Sequence, residues 1–82
     1  MHELGLIKDL LSAVEKRTGP GKLKNVSRII IEISLFGGIK KEHFIDEFNL
    51  ATKGMFLYND VLEIKEVPFG APLTLVDVWL DN

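Results

Sequence analysis

The stretch Val26-Ser27-Arg28-Ile29-Ile30-Ile31-Glu32-Ile33-Ser34-Leu35 decides the fold. Ile29, Ile31, Ile33 and Leu35 fall on one side of an extended chain. Arg28, Ile30, Glu32 and Ser34 fall on the other. Period-two alternation built on β-branched residues predicts a strand over 26–35. One face should lie against helices, and the other, mostly polar, should face solvent or a partner. Phe36-Gly37-Gly38 breaks the strand.

Upstream, residues 3–17 carry a helical period. Leu4, Ile7, Leu11 and Val14 recur at helical spacing, with Leu6 and Leu10 beside them. Thr18-Gly19-Pro20-Gly21 should end this helix, because glycine supplies the left-handed cap and proline cannot continue. Lys16 and Arg17 in the last turn suit the negative helix end. Downstream, residues 40–53 predict a second helix whose stripe is Phe44, Phe48, Ala51 and Met55, supported by Ile45. The phenylalanines are read as core.

Residues 60–67 predict a second strand, with Leu62 and Ile64 opposed to Glu63 and Lys65. Pro68-Phe69-Gly70-Ala71-Pro72 is turn material. Residues 73–80 predict a third strand. Strict alternation puts Val76, Val78 and Leu80 on one face and Leu75, Asp77 and Trp79 on the other. The order is α-β-α-β-β. It predicts an α+β fold of two layers, with both helices on one face of a three-stranded mixed sheet. A helical crossover permits parallel pairing of the first two strands. The 68–72 turn permits an antiparallel hairpin, although strand order stays open. Ile30, Leu75 and Trp79 would then form an apolar patch on the open face, suited to a homodimer or partner protein.

The 82 residues make one domain with a single modest core. The chain has no cysteine, which excludes disulfides, zinc-thiolate sites, iron–sulfur clusters and thiol catalysis. No apolar run is long enough to span a membrane. The start lacks a signal-peptide pattern, so a cytoplasmic protein is expected. Charge is uneven. Residues 1–41 hold eight Lys or Arg and four Asp or Glu, a balance of +4. Residues 42–82 hold two and eight, a balance of −6. Nucleic-acid binding would need more positive charge with interleaved aromatics, and is not expected.

Met1-His2-Glu3 is the candidate metal site. In a chain that starts there, a free amine, a backbone amide and an imidazole lie within one residue of each other. The amine and the ring can both shed protons to a metal near neutral pH. Amine and His2 amide nitrogens close a five-membered chelate ring. Amide and imidazole nitrogens close a six-membered one. An all-nitrogen, near-planar set suits Ni(II) or Cu(II) over Mg(II) or Ca(II). Glu3 could add a carboxylate or its amide. Against this, any initiating Met can be followed by His by chance.

Other motifs fail on inspection. Gly19-Pro20-Gly21-Lys22 lacks the spacing and the Ser or Thr of a phosphate loop, and follows a helix. His2-Glu3 lacks the second His of a zinc-protease helix, since position 6 is Leu6. His43 reads as an ordinary surface histidine. With two histidines in all, acid–base catalysis has little to draw on.

Met1-His2-Glu3-Leu4 at a helix start resembles the opening of the hydrogenase maturation nickel-insertion family, HypA/HybF. The likeness continues in order through Val26-Ser27-Arg28 and Ile31-Glu32-Ile33, Gly38-Ile39 with Glu42, Thr52-Lys53-Gly54, and Leu62-Glu63-Ile64-Lys65-Glu66-Val67-Pro68. That family normally carries a zinc domain after this strand, built on two Cys-x-x-Cys pairs. Here Leu73-Thr74-Leu75-Val76-Asp77-Val78 resembles the family's closing strand instead. The chain therefore reads as one nickel-binding domain over 1–82, the zinc domain replaced by a short turn near 68–72.

The resemblance implies that Met1, His2 and Glu3 bind Ni(II), and the departure from it, the missing Cys-x-x-Cys pairs, implies that no zinc is held. It implies delivery to a nickel enzyme such as hydrogenase or urease, with a maturation GTPase or a nickel-enzyme subunit as partner and no catalysis. Some members add an acidic ligand near the start of the second helix. This chain has Lys40 and Lys41 there. The competing reading is an adaptor that lost metal transfer with the zinc domain and works through the open sheet face.

Overall fold

The computed structural model describes residues 3–81. Its elements are α1 (Glu3–Thr18), β1 (Val26–Ser34), α2 (Lys41–Ala51), β2 (Leu62–Val67) and β3 (Leu73–Leu80), with a short 3-10 turn at Leu23–Asn25. Both helices lie on one face of a mixed three-stranded sheet, the predicted two-layer α+β arrangement.

β1 is the centre of the molecule. The strand order is β2-β1-β3, with β2 parallel and β3 antiparallel to β1. The hairpin that the 68–72 turn would permit is therefore not formed. β2 and β3 flank β1 from opposite sides, and the link between them passes over the end of β1. Ser34 donates to the Pro72 carbonyl and Leu35 to that of Val67, at 3.2 and 2.8 Å. A link of five residues reaches easily across two strand spacings of about 4.8 Å each.

The alternation in β1 produces the core directly. Ile29, Ile31 and Ile33 are fully buried against Ile7, Leu10 and Val14 of α1 and Phe44 and Phe48 of α2. Leu62 and Ile64 of β2 pack against the same cluster, as their spacing predicts. α1 ends where expected. Gly19, with φ at 96°, donates to the Glu15 carbonyl at 2.8 Å. The buried line of α1 runs through Ile7, Leu10 and Val14. Leu6 and Leu11 flank it, and Leu4 in the first turn is exposed.

Three expectations are corrected. Leu35 lies past the end of β1 and is exposed. Met55 does not extend the α2 stripe. The helix stops at Ala51 and the chain turns, so Phe56 stacks on Phe48 instead, with ring centroids 6.2 Å apart. In β3, the register shifts between the pairs Ile30–Asp77 and Ile31–Leu75, so Val76 is an extra residue. This β-bulge breaks the period of two. Leu73, Leu75 and Val78 all pack on the core, while Val76 is exposed.

Candidate functional site

Met1 and His2, the principal expected ligands, lie outside the described residues. Glu3 is the first residue of α1. The segment ahead of it is therefore joined to a helix that is anchored one turn later by fully buried Ile7.

Among the described residues, no group of three or more His, Cys, Asp or Glu comes together to hold a metal. His43 is on the exposed surface of α2, with Nε2 3.8 Å from Glu47 Oε1 one turn on. That is an ion pair only when the ring is protonated, and it offers two side-chain donors at most. Lys40 is the N-cap residue of α2 and Lys41 its first residue, without a side-chain cap; Glu42 is the acidic residue in the first turn.

An open cleft lies beside the end of α2, between Asn49, Thr52 and Lys53 on one side and Tyr58, Asn59 and Asp60 on the other. No local pattern in the sequence announces it, because it is formed by a loop closing on a helix end. Asp60, in a left-handed conformation with φ at 54°, is its only carboxylate among the described residues, which place no metal-ligand cluster there.

The open sheet face differs from the expected apolar patch. Leu75 is on the other side, and Ile30 is only 9% exposed although it faces outward. A polar row covers this face. Arg28 donates to Glu63 at 2.8 Å and lies over the Trp79 ring, 5.4 Å from its centroid. The Trp79 indole N–H donates to Asp77 at 3.2 Å. Trp79 remains 50% exposed, but as part of a charged row. No helix among the described residues is long and apolar enough to cross a membrane.

The fold thus keeps a helix that opens at Glu3, a β1-centred sheet and no internal metal cluster among its described residues. Residues 1–72 match the family described as "Hydrogenase/urease nickel incorporation, metallochaperone, hypA". The chain belongs to the HypA family. It is 34% identical over 68 residues to the hydrogenase maturation factor HypA of Nostoc sp., an overlap of 83% of this chain and 58% of the relative. It is 29% identical over 68 residues to the HypA of Legionella pneumophila strain Lens, covering 83% of this chain and 60% of the relative. The chain therefore spans about six-tenths of the length of these HypA proteins. No solved structure matches it.

Proposed function

We propose that this chain binds Ni(II) through Met1, His2 and Glu3 and passes it to a nickel enzyme such as a hydrogenase or urease. It acts as a metallochaperone-like carrier, without catalysing a reaction. The observation that carries this reading is the family match, which begins at residue 1 and belongs to nickel incorporation. The described residues offer no competing cluster.

In a chain that begins at Met1, the amine, the His2 amide nitrogen and the imidazole chelate the metal. Glu3 completes the set through its carboxylate or amide. Nitrogen donors in a compact chelate favour Ni(II) or Cu(II) over hard cations. Nickel is cargo in this scheme, so the ligands must also let go. A site at a chain end can exchange ligands one at a time with an acceptor, while α1 holds its base to the core. Residues 68–72 stand where the family carries its zinc domain, and the short link across β1 leaves the three-stranded sheet intact. The place of work is the cytoplasm, with a maturation GTPase or a nickel-enzyme subunit as receiver.

The test is a calorimetric titration of Ni(II) into untagged protein with a free Met1 amine, beside a His2→Ala variant. One-to-one binding that is lost in the variant is expected. Equal binding by the two proteins would overturn the site.

A further inference from the structure

The two edges of the sheet are not alike. The β3 edge is obstructed: it carries the Val76 bulge, and Arg17 donates to the carbonyls of Leu75 and Val76 at 3.2 and 3.1 Å. The β2 edge is open. The Val61 and Val67 carbonyls accept from β1, and the parallel register sets Leu62 opposite Ile29 and Ile64 opposite Ile31. In a parallel ladder of this register, odd-numbered β2 residues turn their peptide groups toward β1. Leu62, Ile64 and Glu66 therefore turn theirs outward. No hydrogen bond among the described residues outside the ladder reaches them. An unpaired edge of this kind is a template for another strand.

We infer that β2 pairs antiparallel with β2 of a second copy of this chain, about a two-fold axis at Ile64. The sequence Leu62-Glu63-Ile64-Lys65-Glu66 specifies this occupant, because it is self-complementary in one register. Centred on Ile64, each outward-turned residue meets another. Ile64 lies opposite the partner's Ile64, and Leu62 opposite the partner's Glu66. Three such pairs exchange about six backbone hydrogen bonds. Between them, in the close non-hydrogen-bonded positions, Glu63 meets the partner's Lys65, and Lys65 meets the partner's Glu63. Opposite charges directly across an antiparallel pair stabilise it.

The neighbouring registers that keep the hydrogen bonds are disfavoured. Shifting one way sets Glu63 against the partner's Glu63, and shifting the other sets Lys65 against the partner's Lys65. Lys65 also lies across from Glu32 within its own sheet. The sequence Glu32, Lys65, partner's Glu63 thus alternates in sign across the junction. The product is a six-stranded sheet ordered β3-β1-β2-β2-β1-β3. Its only remaining edges are the two obstructed by the bulge and Arg17, so growth stops at two copies.

Analytical ultracentrifugation in the presence of a chelator tests this independently of nickel. The parent should sediment at twice the 9.2 kDa chain mass through the micromolar range. Lys65→Glu should raise the dissociation constant by about tenfold or more, because both charge pairs become repulsive. Glu66→Pro should abolish the dimer while leaving far-UV circular dichroism unchanged, since the lost N–H points away from β1. Ile64→Cys, in a chain with no other cysteine, should form a disulfide with its counterpart under mild oxidation, because this register alone sets position 64 opposite itself. A monomeric parent, or a dimer that survives Glu66→Pro, overturns the interface. An Ile64→Cys dimer that does not cross-link overturns the register.

Discussion

The Arg17 guanidinium, in the last turn of α1, donates to the carbonyl oxygen of Val76 at 3.1 Å. This contact joins the end of the first helix to the bulge of the last strand, across 59 positions of sequence. Replacing Arg17 by Met keeps the aliphatic stem and removes the donors. The site is exposed, so a loss of about 1 kcal/mol is expected in urea unfolding. Lysine, a single point donor, should not restore it fully.

Gly37 supports the link over β1. A Cβ there would stand 2.8 Å from the Pro72 Cα and 3.3 Å from the Ser34 carbonyl oxygen. Both are backbone atoms, so the link itself would have to shift. Gly37→Ala should cost about 1–3 kcal/mol. Gly38 presents a different problem, since a Cβ meets nothing but φ is 82°. Gly38→Ala should cost about 1–2 kcal/mol through backbone strain alone. Thermal unfolding of the two variants measures both losses. Pro72→Gly, which removes the Cβ that would stand 3.1 Å away and frees the backbone of the link, should soften only the first.

Phe48 stacks between Phe44 and Phe56, with centroid separations of 6.4 and 6.2 Å. Phe48→Ala should cost about 3–5 kcal/mol. A domain of 82 residues has about 4–12 kcal/mol in all. The variant should therefore lose a large share of the domain's stability, read as a lowered melting temperature by circular dichroism. Met55→Ala, at an exposed position, should change stability by under about 0.5 kcal/mol.

Tyr58 donates its phenol hydrogen to Asp81 at 2.6 Å. That hydrogen bond, then desolvation and the Asp81 charge, raise its pKa above the ordinary value of 10.0. A raised folded-state pKa means the bond is fully present below pH 10 and is lost as pH climbs through the folded value. Tyr58 is the only tyrosine, so ultraviolet titration reads it alone. The midpoint should lie above 10 in the parent and fall back toward it in Asp81→Ala. Identical midpoints would mean the bond is not held in solution.

The core was legible because Ile29, Ile31 and Ile33 repeat at period two and Ile7, Leu10 and Val14 at helical spacing, and both periods report burial directly. The faces of β3 were not legible. Its sequence alternates as well as any strand, and a bulge leaves no local signature in Leu75-Val76-Asp77. What fixes it is the pairing of that strand with β1, and the grip of Arg17 on its carbonyls. Strand order was hidden for a similar reason. A five-residue link after β2 can close a hairpin or step over a strand, and the choice belongs to β1. The candidate nickel ligands were legible only as chemistry, because Met1-His2-Glu3 carries donors without needing a fold to assemble them.

The central place of β1 also has a consequence for the order in which the chain is made. β1 leaves the ribosome before either of its neighbours, and its antiparallel neighbour, β3, comes last of the five elements. Until Leu73–Leu80 emerge, one whole side of β1 has no strand to pair with. The sheet cannot nucleate from a local hairpin, because its pairs lie 33 residues apart between β1 and β2 and 40 to 54 apart between β1 and β3. During synthesis the nascent chain can collapse around α1, β1 and α2, but the final eight-residue strand acts as the latch. Ribosome-bound chains stalled before residue 73 should accordingly be protease-sensitive where chains released past residue 80 are not.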